Sequence, residues 1–177
     1  GFSERIEFRM ITGFLKENID NIKTKGFRPI AFGTKIKLTD ENGILPKISW
    51  IAHAHVTQSA SKVFRNEKWA PEFRFAFLHN LNSNQTLSYN LGIEWDVNEL
   101  FPIYIYTLSY GYSFSENWGA YIEVFGNISK EDSAQHLFDG GLTYLLSPDF
   151  MIDCSAGFGL HSSAPKYYCS AGFSFRL

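Results

Sequence analysis

The last eleven residues, YYCSAGFSFRL at positions 167–177, alternate between apolar and polar side chains as far as the final residue. One set of alternate positions holds Cys169, Ala171, Phe173, Phe175 and Leu177, and the other holds Tyr168, Ser170, Gly172, Ser174 and Arg176. A period of two predicts a β-strand with one apolar and one polar face. Because an aromatic-rich edge strand would be prone to non-native pairing, we expect this strand to pair on both sides, most simply in a closed barrel.

The composition indicates a single domain with much apolar surface. The chain has 177 residues, no linker-like stretch, 17% aromatic residues and only 19% charged residues, below the usual share of about a quarter. A mean hydropathy of −0.15 does not exclude a membrane barrel, because alternation averages its two faces. A net charge of −2 with scattered basic residues gives no reason to expect nucleic acid as a partner.

The same alternation recurs along the chain and predicts ten strands. They cover residues 2–12, 30–38, 47–57, 69–78, 86–96, 102–113, 118–127, 138–146, 150–160 and 167–177. Residues 13–28 are predicted as a long polar connection with a short helical turn at 17–22. The connections after the second, fourth, sixth and eighth strands are short, those after the first, third and seventh are long, and those after the fifth and ninth are intermediate. This pattern predicts an all-β, antiparallel up-and-down transmembrane barrel.

A soluble barrel with an apolar interior would show the same alternation. Separate evidence is therefore needed to decide whether the apolar face lies outside or inside the barrel. The polar face is rich in small residues: Gly33, Gly92, Gly111, Gly141, Gly157, Gly159 and Gly172. The apolar face has aromatic residues assigned to strand ends, as in the girdles of membrane barrels: Trp50, Tyr89, Trp95, Tyr104, Tyr112 and Trp118. We therefore expect the apolar face to contact lipid, with six residues at mid-strand: Phe73, Leu91, Leu108, Ile122, Leu142 and Phe158.

The polar positions predict a charged lumen. They comprise Arg5, Glu7, Arg9, Lys35, Lys37, His53, His55, Glu72, Arg74, Glu94, Asp96, Glu123, Asp139, Asp153 and Arg176. Opposite charges on adjacent strands are expected to pair, with Glu72 and Arg74 beside Glu94, and Asp153 beside Arg176. These residues form either a plug of ion pairs or a polar path for a small solute.

Sites for covalent or metal chemistry are weakly indicated. His53 and His55 share a strand face, but no third metal ligand is evident, so neither a metal ion nor another cofactor is expected. No Gly-x-Ser-x-Gly motif is present, and an outer-membrane enzyme is therefore the least favoured function. Cys154 and Cys169 fall on neighbouring predicted strands but not opposite each other, so free thiols are expected.

Six stretches of sequence carry a resemblance to a known family: residues 3–7 (SERIE), 33–37 (GTKIK), 90–95 (NLGIEW), 118–123 (WGAYIE), 139–144 (DGGLTY) and 171–176 (AGFSFR). With them the chain resembles bacterial outer-membrane barrels assigned to transport in the meta-cleavage pathway of phenol degradation. The resemblance implies that residues 1–177 are one barrel domain, the C-terminal part of a longer precursor with about twelve strands.

The expected location is the bacterial outer membrane, with lipid and a small solute as partners. The leading hypothesis for function is a transporter or channel for that solute. The alternative is a structural or accessory barrel with a closed lumen, docked to a larger protein complex of the envelope.

Overall fold

A ten-stranded antiparallel sheet dominates the computed structural model, which describes residues 3–19, 22–95, 101–131 and 133–176. The strands are β1 Ile6–Ile11, β2 Phe14–Ile19, β3 Ile22–Phe27, β4 Ile30–Thr39, β5 Lys47–Val56, β6 Ala70–Asn80, β7 Gln85–Trp95, β8 Pro102–Ser113, β9 Trp118–Ile128, β10 Gln135–Ser147, β11 Phe150–Gly159 and β12 Tyr168–Phe175. From β4 to β12 each strand pairs with the next in sequence, and β1 pairs with β4. The fold is an all-β, up-and-down sheet curled into part of a barrel.

The two edges of this sheet are β1 and β12. Within the described residues β12 pairs with β11 alone, so the prediction that the terminal strand pairs on both sides is wrong there. The reason is that alternation defines the two faces of a strand but carries no information about its second edge. Leu177 and Asp96, which the sequence analysis placed in strands, lie outside the described residues.

The segment predicted as a polar connection with a helical turn is instead a β-hairpin. Strands β2 and β3 form their own two-stranded sheet, in which Phe14 lies opposite Phe27 and Lys16 lies opposite Lys25. The lysines at alternate positions made this segment resemble a loop, although their spacing follows the period of a strand. Two single-turn 3-10 helices, Thr57–Ser59 and Lys62–Phe64, occur in the β5–β6 loop.

The connections between strands lie at two opposite rims of the sheet. One rim, here the short-turn rim, holds the connections after β4, β6, β8 and β10; those after β6, β8 and β10 have four residues or fewer, and the one after β4 comprises residues 40–46. The opposite rim, the long-loop rim, holds the β2–β3 hairpin, the loops after β5 and β11, and the ends of β7 and β9. The placement of the connections at alternate rims is the one that the sequence predicted. No helix in the described part of the chain has the length and apolar character needed to cross a membrane.

The two faces of the sheet differ in polarity and exposure. The outer face carries all six residues predicted to be lipid-facing, and 37–57% of their surface is exposed. On the opposite, inner face, Glu72, Asp139 and His53 are among the least exposed residues, at 5%, 5% and 8%. Large apolar side chains therefore lie outside and ionisable ones inside, the reverse of a soluble protein.

Four of the six predicted girdle residues do lie near strand ends. Trp95 ends β7 and Tyr104 is close to the start of β8, whereas Tyr112 and Trp118 flank the short-turn rim. Trp50 and Tyr89 lie further inside their strands, so their assignment to strand ends is wrong. Trp50 stacks on Phe73 of the neighbouring strand, with 5.9 Å between ring centroids, and so belongs to a cross-strand aromatic contact.

Candidate functional site: the polar inner face

Basic side chains concentrate on the inner face towards the short-turn rim. Lys35 lies opposite Glu7 in the register of β1 and β4, and Lys37 lies opposite Ser49. Lys35 also interacts electrostatically with Arg9, Lys47 and Arg176, although Lys47 was not among the predicted residues. Arg176, which follows β12, is the last-named of these charges and acts on Lys35 only through its electrostatic field.

An ion pair lies at the short-turn rim itself. The Nζ atom of Lys37 lies 2.8 Å from Oδ1 of Asp40, in the turn that follows β4. This hydrogen bond holds the pKa of the exposed Asp40 carboxyl below its ordinary value. Arg5 lies nearby, just before β1, where its carbonyl accepts a hydrogen bond from the Lys37 amide.

A carboxylate–histidine cluster occupies the inner face towards the long-loop rim. The Glu72 carboxylate has one oxygen 3.4 Å from Nδ1 of His53 and the other 3.3 Å from Nε2 of His55. Arg74, two residues along the same strand, donates a hydrogen bond from Nε to Glu72. Glu94 lies directly opposite Glu72 on β7, so two carboxylates lie next to the Arg74 guanidinium.

The sequence therefore predicted the neighbours in this cluster but not its hydrogen bonds. Arg74 lies opposite Gly92, and a Cβ on that glycine would be 2.7 Å from Cγ of Arg74. The absence of a side chain there lets Arg74 lie along the sheet towards Glu72. Among the described residues no group of three or more His, Cys, Asp or Glu side chains is arranged to hold a metal ion.

A second acidic pair lies between β9 and β10, where Glu123 is directly opposite Asp139. Tyr168 of β12 donates a hydrogen bond of 2.5 Å to Oδ2 of Asp139. Its other carboxylate oxygen, Oδ1, is buried and has no hydrogen-bond partner. Directly opposed like charges destabilise a strand pair, and a buried acceptor without a partner adds a further cost. This pair is therefore a place where a positive or hydrogen-bond-donating solute would be stabilised.

A cleft of about 340 Å³ adjoins the Glu123–Asp139 pair on the side of the short-turn rim. Its wall includes small hydroxylated side chains together with a phenol and a carboxylate: Thr86, Ser109, Ser113, Thr143, Tyr121 and Glu123. Tyr121 lies over Gly141, where a Cβ would be 2.6 Å from the phenol ring. The glycine thus lets the tyrosine lie flat against the wall beside the cleft.

The predicted pairing of Asp153 with Arg176 is wrong. Asp153 lies opposite Gly172 on β12, and Arg176 is four positions further along, with its amide bonded to the carbonyl of Asp149. Four residues of a strand span about 13 Å, beyond the reach of a direct ion pair. The connection between β11 and β12 comprises residues 160–167, and Gly157 lies opposite Tyr168 at the end of the ladder, which fixes this register. As expected, Cys154 and Cys169 are free thiols.

Several polar side chains were missed by reasoning from sequence. Tyr121 and Tyr168 occupy polar positions of the alternation, and their placement beside glycines of neighbouring strands was the available signal. His136 was assigned to a loop because its strand was predicted to begin at residue 138. It lies on the outer face near the long-loop rim, with Nδ1 2.6 Å from the Tyr106 hydroxyl and its ring centroid 5.3 Å from that of His161.

Comparison with known proteins gives a family and a fold. The profile of the family described as "Putative MetA-pathway of phenol degradation" matches residues 4–177. A crystal structure of an outer-membrane channel from Pseudomonas putida F1 matches with a TM-score of 0.74 and 11% sequence identity, over 98% of this chain and 77% of that one. No curated protein sequence matches the chain.

Proposed function

The chain belongs to this phenol-degradation family, and from that premise we propose that it is a bacterial outer-membrane barrel that passes a small solute as a channel or transporter. The fold match to a solved outer-membrane channel supports the proposal. So does the apolar outer face, which exposes Leu91 by 57% and Ile122 by 53% and would contact the hydrocarbon of the bilayer.

One observation favours a solute path over a plug: Glu123 and Asp139 lie directly opposite each other beside the cleft. A plug that only stabilises the barrel is expected to place opposite charges against each other across the strands. Two carboxylates at opposed positions, one with a buried unpartnered oxygen, instead favour transient contact with a cation or a solute rich in hydrogen-bond donors. Such passage needs no covalent chemistry, metal ion or cofactor.

The edges of the sheet support a further proposal about the domain. In hydrocarbon an unpaired backbone amide or carbonyl costs several kcal/mol, so β1 and β12 require partners in a membrane. We propose that residues 1–177 form the C-terminal part of one longer barrel domain with about twelve strands, closed by strands that precede β1. The solved channel, of which 23% lies outside the match, supports this arrangement.

Conductance in planar bilayers of the purified barrel, including the strands proposed to precede β1, tests the proposed path. Stepwise currents are expected, and Glu123→Gln should lower the preference for cations over anions because it removes a negative charge from the wall. Glu116→Gln, in the exposed turn after β8, is the matched control and should leave the selectivity unchanged. A folded protein that stays silent would instead support the accessory barrel with a closed lumen.

A further inference from the structure

The β2–β3 hairpin continues beyond the long-loop rim and is held against the neighbouring loop. It starts after β1 and ends before β4, and the Arg28 amide donates to the Gly13 carbonyl at 2.8 Å across its base. The Phe27 amide donates to Oγ of Ser61 at 2.9 Å, and the Ser61 amide donates to the Phe27 carbonyl at 3.0 Å. The hairpin therefore has one face and edge against the β5–β6 loop and another face left open.

The open face combines two aromatic rings with lysines. Phe14 and Phe27 lie opposite each other at the base, with ring centroids 5.3 Å apart and 60% and 58% of their surfaces exposed. Lys16 and Lys25 are the next pair on the same face, about 7 Å further from the rim. Lys23 follows near the tip. Among the side chains that the structure describes, no carboxylate forms an ion pair with these three lysines.

The order of these side chains from the base of the hairpin to its tip, phenylalanines first and lysines next, matches the order of layers at a membrane surface. Aromatic rings prefer the level where acyl chains meet headgroups, and lysines are attracted to phosphates just above that level. Lys16 and Lys25 are like charges at directly opposed positions, which destabilises an isolated hairpin. A phosphate placed between their ammonium groups would offset that repulsion.

We propose that the open face of the hairpin, defined by Phe14, Lys16, Lys23, Lys25 and Phe27, binds the phosphorylated headgroups of the lipid leaflet at the long-loop rim. The phosphates contact the lysines, and the phenylalanine rings enter the upper acyl layer. The proposal rests on the membrane location proposed above but is independent of solute passage. The chain would thus hold anionic lipid at one defined place on its circumference.

Lipid A, a glycolipid with two phosphates, is the probe for a direct test. The detergent-solubilised protein is titrated with lipid A, and bound lipid is counted by native mass spectrometry. Each lysine near an anionic surface strengthens binding about fivefold, so Lys16→Gln with Lys25→Gln should weaken binding about 30-fold. Lys130→Gln with Lys166→Gln removes the same charge from exposed loops of the same rim and should change binding less than threefold.

Two further arms separate lipid from free phosphate. Dephosphorylated lipid A should bind the unaltered protein as weakly as lipid A binds the double lysine variant. Inorganic phosphate, added as a competitor, should displace lipid A from the lysines. The double variant Phe14→Ala with Phe27→Ala should bind lipid A more weakly, and the phosphate concentration needed for displacement should stay unchanged. Equal losses in both lysine double variants, or undiminished binding in Lys16→Gln with Lys25→Gln, would overturn the proposal. Conductance of these variants should match that of the unaltered protein, so failure here is distinguishable from failure of the proposed channel.

Discussion

At the scale of single residues, Arg74 links the two carboxylates at the long-loop end of the inner face. It donates to Glu72, which is 5% exposed, and its charge also acts on Glu94 across the strand pair. His53 and His55 contact the same carboxylate, so Glu72 has three cationic or polar partners. Removal of Arg74 should therefore leave the buried Glu72 carboxylate with the two histidines as its remaining partners.

Arg74→Ala is expected to lower the free energy of unfolding by about 2 kcal/mol, because a hydrogen bond to a buried charged group is lost. Unfolding by guanidinium chloride in lipid vesicles measures this loss. Arg74→Lys keeps the positive charge but not the planar group of arginine, and it should recover part of the lost free energy. If the inner face is a solute path, the same variant will also change ion selectivity. An Arg74→Ala protein identical to the original in both stability and selectivity would contradict the role assigned to this residue.

At the scale of elements, each strand presents one face to the interior and one to the surroundings. Strand β7 shows this separation with adjacent residues: Leu91 is 57% exposed on the outer face, and Asn90 lies on the inner face opposite Ala76 and Thr107. The two positions share a strand and a depth. They differ only in the direction of the side chain.

Leu91→Arg should lower the free energy of unfolding in a bilayer by about 2–4 kcal/mol, since a charge near the midplane of the hydrocarbon is costly. Asn90→Arg places the same side chain at the same depth on the polar side and should cost much less. Unfolding of both variants in lipid vesicles gives the comparison. Equal stability of Leu91→Arg and the original protein, with a large loss for Asn90→Arg, would reverse the inside and outside of the sheet.

At the scale of the whole molecule, insertion into a membrane depends on whether the sheet closes into a complete barrel. The ten-stranded sheet leaves one edge of β1 and one edge of β12 unpaired among the described residues. The sheet is curled into part of a barrel, so β1 and β12 are the edges at which further strands would have to pair for closure.

If the proposed closure is right, the 177-residue chain should unfold in cold SDS, whereas the same chain extended by the strands proposed to precede β1 should resist SDS until heated. Resistance follows from closure, since a barrel without edges has no backbone groups open to the detergent. Electrophoresis of heated and unheated samples checks the difference. A compact, SDS-resistant monomer formed by residues 1–177 alone would refute closure by preceding strands.

The sequence by itself determined the number and order of the strands in the large sheet, their two faces and the separation of long loops from tight turns. These follow from a period of two and from turn composition, which are local properties of the chain. It failed for β2 and β3, where Lys16, Lys23 and Lys25 concealed the strand period, and it left the edges of β1 and β12 undetermined.

Only the tertiary structure decided which inner-face residues meet. The opposition of Glu72 to Glu94 and of Glu123 to Asp139, the bond from Tyr168 to Asp139 and the separation of Asp153 from Arg176 all depend on register between strands. A shift of two residues keeps every side chain on its face and yet changes every partner. Alternation is unaffected by such a shift, and for that reason the faces were predictable whereas the contacts across them were not.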